Sequence, residues 1–117
     1  MALAAQPGAY ALVCLHHHPV PHGSAWLDEL MLDNAEEFFG VLARHPGVRG
    51  LAWGHTHQPF EGMHGHIRLM GTPSTCMQFA QDADEFQVDE RPPAYRWIEL
   101  GEDGSVETGV EWVHEHD

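Results

Sequence analysis

The 117 residues contain no lysine, and five arginines stand against 18 acids, for a formal net charge of −13. A chain so poor in cations repels nucleic acid and anionic membrane surfaces, so neither is an expected partner. A phosphate group would need a cation supplied by something other than lysine or a basic patch. Cysteine is equally scarce. Cys14 and Cys76 share no repeated spacing, which excludes a disulfide framework and a zinc ribbon and leaves buried, reduced thiols as the expectation. No apolar run approaches the roughly eighteen residues a membrane span requires. The amino terminus has no positive charge ahead of its short apolar stretch, so no signal peptide is expected and the chain reads as cytoplasmic. Internal repeats and low-complexity segments are absent. At this length, with 43% hydrophobic residues, one domain over residues 1–117 is expected.

Histidine is abundant instead, with 11 in the chain. Most are expected to be incidental. His45 precedes Pro46 at an expected helix end and suits a helix-terminal cation; His114 and His116 fall in a polar tail; His22, His64 and His66 carry no ligand-like context. Two clusters differ. The apolar run from Ala9 to Leu15 leads directly into His16-His17-His18-Pro19, and the run from Val48 to Trp53 leads into Gly54-His55-Thr56-His57. Imidazole is the commonest neutral metal ligand. Open α/β sheets place ligands at the carboxyl ends of their strands, which makes His17, His55 and His57 the candidate ligands.

The intervening segment explains how the clusters could meet. Residues 9–15 read as a continuous apolar strand, buried on both faces. The loop from His16 to about Leu32 is rich in proline and glycine and offers Trp26, Leu27, Leu30 and Met31 as cover for a cavity. Asp33 with Glu36 resembles a capping box, and Ala35, Phe38, Phe39 and Leu42 recur at helical spacing. Arg44, His45, Pro46 and Gly47 end that helix. With the strand at residues 48–53 this forms a strand–helix–strand unit, which normally crosses over right-handed. Parallel neighbours lie about 4.8 Å apart, so both histidine clusters reach one sheet edge. Hairpins are expected over residues 59–70 and 95–113, the second turning at Glu102-Asp103-Gly104. The acidic loop from Gln81 to Pro93 reads as too polar to pack.

The ordered set is specific: an apolar strand, His-His-Pro, the Trp26-Leu27-Asp28 stretch, a helix, a second apolar strand, Gly-His-x-His, and Thr72-Pro73-Ser74-Thr75-Cys76. It resembles the carboxyl-terminal half of a calcineurin-like metallophosphoesterase, and within that superfamily the bacterial class III 3′,5′-cyclic AMP phosphodiesterases. The resemblance runs from about residue 8 to residue 113. It implies an α/β fold, half of an α/β/β/α sandwich, with a mixed sheet and one main helix. It implies that His55 binds one metal ion and His57 a second, and that His17 shares the ion of His55, with His16 the alternative register. Iron with manganese is the metal pair it suggests; imidazole donors also suit zinc. The implied reaction is hydrolysis of a cyclic nucleotide or related phosphoester. Trp26, Phe60 or Phe79 could stack on a purine, although core or lid packing is their expected role.

The family's upstream Asp-x-His, Gly-Asp and Gly-Asn-His motifs do not occur in these 117 residues. The bridging carboxylate and the histidine beside the leaving group are therefore missing, and no catalytic residue beyond the metal ligands is assigned. The expectation is a carboxyl-terminal part of a single metallophosphoesterase domain, weak in metal binding and inactive alone. Apolar surface left without its other half favours a homodimer. The competing reading is a non-catalytic metal-binding or self-association module.

Overall fold

A computed structural model describes residues 9–81 and 83–113; the expectations for His114 and His116 lie outside the described residues. Strand β1 (Ala11–Leu15) is followed by a short helix α1 (Ala25–Asp28) and the main helix α2 (Ala35–Leu42). Then come β2 (Val48–Trp53), β3 (Phe60–His64) and β4 (Ile67–Gly71). β5 (Gln78–Phe79) and β6 (Val88–Asp89) are brief, and β7 (Ala94–Leu100) and β8 (Val106–Trp112) close the order.

β1 to β4 form one mixed sheet in the order β1-β2-β4-β3. β2 pairs in parallel with both β1 and β4, while β3 and β4 are antiparallel through the turn at Gly65. The fold is thus α/β with a mixed sheet and few helices. β2 lies in the interior of the sheet and is buried along nearly its whole length, which accounts for a run that is apolar except at the half-buried Arg49. Leu42, Val48, Leu51, Trp53, Ile67 and Leu69 form the core, with Phe38 and Phe39 of α2 packed onto it. The helical spacing of those residues therefore does what its period demands: one stripe of α2 covers one face of the sheet.

Four expectations change. α2 takes Asn34, not Asp33, as its N-cap, and no side chain caps it. Phe38 N–H bonds to the Asn34 carbonyl at 3.0 Å, which sets the helix start one residue later, and Glu36 and Glu37 in its first turn favour the positive end of the helix dipole. β1 is only half-buried because it is an edge strand: Ala11, Val13 and Leu15 pack on the core, while on the other face Leu12 meets Met70 and Val106 over Gly50. Cys14 and Cys76 are exposed thiols rather than buried ones; Cys14 lies on the β1 face opposite Val13 and Leu15, and Cys76 lies in the loop after β4. The acidic segment does pack in part: Phe79 pairs with Val88, and Phe86 folds back to within 5.2 Å of the Trp26 and Phe79 rings.

The β7–β8 hairpin forms a separate two-stranded sheet, turning where the Asp-Gly pair demands it, with Gly104 at φ +85°. Arg96 ties it to the main sheet. Its buried guanidinium donates to the Gly71 carbonyl at 2.9 Å, the Phe60 carbonyl at 3.3 Å and Thr108 Oγ1 at 3.1 Å.

Candidate metal centre

Parallel pairing sets the site. Leu15 stands opposite Trp53 in the β1–β2 register, so the His16–His18 segment and Gly54–His57 leave the same sheet edge side by side. The rings of His16 and His55 have centroids 4.7 Å apart, and those of His17 and His55 5.1 Å. His16 and His17 meet edge to face at 5.0 Å. His17, His55 and the alternative His16 thus occupy one cluster. His57 is turned toward another neighbour: its ring lies flat on Phe79, 4.1 Å away with planes 6° apart.

The backbone here is unusual. His55 and His57 both have positive φ, at 67° and 48°, a left-handed conformation that a non-glycine residue adopts only when its surroundings fix it. Those surroundings are the buried neighbours Trp53, Thr56 and Gln58. Thr56 N–H bonds to the Gly54 carbonyl at 2.6 Å, and the Gln58 amide donates to the Ala80 carbonyl at 3.0 Å.

Two histidines left out of the candidate set prove to be struts. His18 is fully buried and its Nε2 meets Asp28 Oδ1 at 3.1 Å. Asp28 also accepts the backbone N–H groups of His22 and Gly23, at 2.8 and 3.0 Å. This carboxylate therefore folds the His16–Gly23 loop onto α1, a role that gives the Trp-Leu-Asp stretch its structural meaning. His22 accepts the Trp53 indole N–H through Nε2 at 3.1 Å and meets Gln58 Oε1 through Nδ1 at 2.9 Å. Sequence reasoning gave no sign of these partners, since they lie 31 and 36 residues away.

Protonation follows from burial. Desolvation pushes the His18 pKa below that of a free imidazole, outweighing the attraction of Asp28. Burial likewise lowers His22. His55 is lowered first by burial and then by the charges that His16, His17, His18 and His57 would carry if protonated. Asp28 is held below the usual carboxylate range: burial opposes ionisation, but the N–H groups of His22 and Gly23 and the His18 ring together overcome it.

Do these residues fit a metal? The ring nitrogens fit in part. His57 Nδ1–H donates to the Met77 carbonyl at 2.9 Å, so Nε2 carries the lone pair, the arrangement by which a second hydrogen bond fixes a ligating tautomer. His55 Nε2 is buried with no hydrogen-bond partner; as a lone-pair nitrogen it would be satisfied by a donor's proton or by a metal. The donor set is nevertheless incomplete. No group of three His, Cys, Asp or Glu side chains arranged to hold a metal occurs among the described residues, and no carboxylate joins the imidazole cluster to offset the charge of two ions.

No protein-family model matches the chain. Over 104 residues, 89% of the chain, it is 47% identical to the 3′,5′-cyclic adenosine monophosphate phosphodiesterase CpdA of Pseudomonas aeruginosa, covering 38% of that protein. It is 44% identical over 108 residues to the CpdA phosphodiesterase of Escherichia coli K12, covering 92% of the chain and 39% of the relative. It is 36% identical over 107 residues to a 3′,5′-cyclic-nucleotide phosphodiesterase of Nostoc, again covering 92% of the chain but 40% of the relative. The chain thus spans about two-fifths of the length of the curated relatives it matches. Across nearly all of its own length, this chain is homologous to a stretch of the bacterial 3′,5′-cyclic AMP phosphodiesterases.

Proposed function

We propose that residues 1–117 form the carboxyl-terminal part of a metallophosphoesterase domain, and that a longer protein carrying them hydrolyses a 3′,5′-cyclic nucleotide to its 5′-monophosphate. The observation that carries this reading is the convergence of His17 and His55 at one sheet edge, 5.1 Å apart, in a chain 47% identical to a protein named as a cyclic AMP phosphodiesterase. In this reading His17 and His55 hold one ion and His57 holds a second, with iron and manganese the preferred pair and zinc the alternative. Such ions, when bound, supply hydroxide near neutral pH and withdraw charge from the phosphoryl oxygens. What this chain contributes is orientation. Met77 fixes the His57 tautomer, and the left-handed turn aims the two Gly-His-x-His rings apart, toward His17 on one side and Phe79 on the other.

The carboxylates that bridge two ions belong to the remainder of the domain in this proposal, so the 117 residues alone bind metal weakly and do not turn over substrate. The site is cytoplasmic and the protein a homodimer, supported by the exposed Tyr95, Trp97 and Leu100 of the hairpin. No helix among the described residues is long and apolar enough to cross a membrane.

The test is direct. The longer protein, reconstituted with manganese and iron, should hydrolyse cyclic AMP, and H17A, H55A and H57A should each reduce bound metal and lower kcat/KM by at least about 100-fold. Absence of turnover in the metal-loaded longer protein would sink the reading. A non-catalytic module is the second reading, favoured by the lack of a complete ligand trio among the described residues. It is supported if the longer protein holds a single ion that H17A does not disturb.

A further inference from the structure

Three aromatic rings stand behind His57. Phe79, stacked on it, meets Trp26 at 5.1 Å and Phe86 at 5.2 Å, and Trp26 meets Phe86 at 5.2 Å, all edge to face. Phe79 is core, with 8% exposure, whereas Phe86 is 57% exposed in the middle of the acidic segment. The Trp26 indole N–H is buried and has no hydrogen-bond partner. That group can only donate, and leaving it unpaired is unfavourable, so the closed arrangement lacks one acceptor.

Among the described residues, the segment that carries Phe86 is lightly held. β5 and β6 share two residue pairs, and beyond them Ala83 N–H reaches the Ser24 hydroxyl only at 3.3 Å. The Phe86 turn can therefore lift from Trp26 while the Phe79–Val88 pair and the Ala80 N–H bond to Gln87, at 2.7 Å, stay in place.

We propose that Trp26 and Phe86 act as a jaw for a nucleobase, which enters between the two rings and gives the Trp26 N–H its missing acceptor from a ring nitrogen or carbonyl. The inference rests on the phosphodiesterase reading and deepens it by naming the residues that select the base. At 5.2 Å the rings leave no room for a third, so binding requires the turn to open. Charge sets the direction in which a nucleotide lies. Asp84 and Glu85 adjoin Phe86 and repel a phosphate but accept from an exocyclic amine, whereas the His57 imidazole lies against Phe79. The base therefore sits at the jaw and the phosphate at the histidines.

The experiment uses the longer protein, labelled with nitrogen-15, and adenosine as the probe. The Trp26 indole N–H resonance, identified by its loss in W26F, should move downfield on adding adenosine. F86A, at an exposed position where the fold is not at risk, should weaken adenosine binding at least about fivefold, the low end for one lost base–aromatic stack. It should also raise KM for cyclic AMP by a similar factor with kcat preserved. Hydrolysis of cyclic AMP with an unmoved Trp26 resonance and an unchanged KM in F86A overturns this inference and leaves the phosphodiesterase reading standing. A protein that fails to hydrolyse cyclic AMP yet shows the Trp26 shift and the F86A loss supports the jaw while refuting the reaction.

Discussion

Acid should loosen this fold through His22, and the structure supplies the reason atom by atom. The Trp53 indole N–H is a donor only, so His22 Nε2, 3.1 Å away, must carry a lone pair. The Gln58 amide nitrogen is committed to the Ala80 carbonyl, which turns its oxygen toward His22 Nδ1 at 2.9 Å. The ring is thereby fixed as the Nδ1–H tautomer. A second proton would set one N–H against another and leave the buried Trp53 donor unpaired, at a cost of about 1–3 kcal/mol. Burial lowers the pKa further.

Because the folded pKa lies below the unfolded value of about 6.5, the stabilisation is fully present above that pH and is lost as pH falls through the folded value. At pH 5.5 the loss reaches at most about 1.4 kcal/mol for one ring, less to the extent that solvent screens it. His18, whose pKa burial also lowers, adds a term of the same sign. Urea unfolding at pH 7.5 and 5.5 measures the sum, and long-range proton–nitrogen spectra read the tautomer of His22. W53F removes the blocking N–H, so His22 should titrate closer to 6.5 and the acid loss should shrink, even though the variant is less stable overall. An Nε2–H tautomer in the wild type, or a His22 that titrates at 6.5 or above, would refute the reasoning.

Further outcomes can be checked by the same denaturation assay. R96A strands the Gly71 and Phe60 carbonyls that the buried guanidinium satisfies and should destabilise by about 3–5 kcal/mol, with R96K recovering only part because one ammonium cannot span the same acceptors. D28A removes the acceptor for two backbone N–H groups and His18 and should cost about 2–4 kcal/mol at pH 7. Since the Asp28 pKa is lowered in the fold, its contribution is complete above about pH 3.9 and disappears as pH drops through the lower folded value. G104A places a methyl 2.7 Å from the Tyr10 ring at φ +85° and should lower the urea midpoint by the equivalent of about 1–3 kcal/mol.

The strand–helix–strand unit was legible because each part has a period or a composition that favours one reading: Val48–Trp53 is apolar apart from Arg49, and Phe38, Phe39 and Leu42 share one helical stripe. The meeting of His17 with His55 follows from that unit once the strands are parallel. What escaped depends on contacts remote in sequence. Nothing near Phe86 shows that it folds back on Trp26, because the acids around it mask a single aromatic. Cys14 looks like core from its apolar neighbours, but burial of a strand's second face is decided by how far another layer reaches along it, and the hairpin's Val106 reaches Leu12 while Cys14 stays exposed. His57 has the spacing of a ligand, and no local pattern announces that its ring will lie on Phe79.

The two left-handed histidines, at φ 67° and 48°, carry a conformational cost that the surrounding packing must meet. A positive φ at a non-glycine residue costs on the order of 1–3 kcal/mol and persists only where packing over-determines it. Here the packing is internal: Trp53, Thr56 and Gln58 are buried on elements that all belong to this chain, and the His22 bridge links the first of them to the last. The orientation of His55 and His57 is therefore set before any further segment or ion arrives. A metal bound there meets rings already aimed, so the unfavourable conformation is a property of the scaffold and not a demand made on the binding energy of the ion. In the proposed whole domain, the other half supplies carboxylate charge to a geometry that these residues maintain themselves.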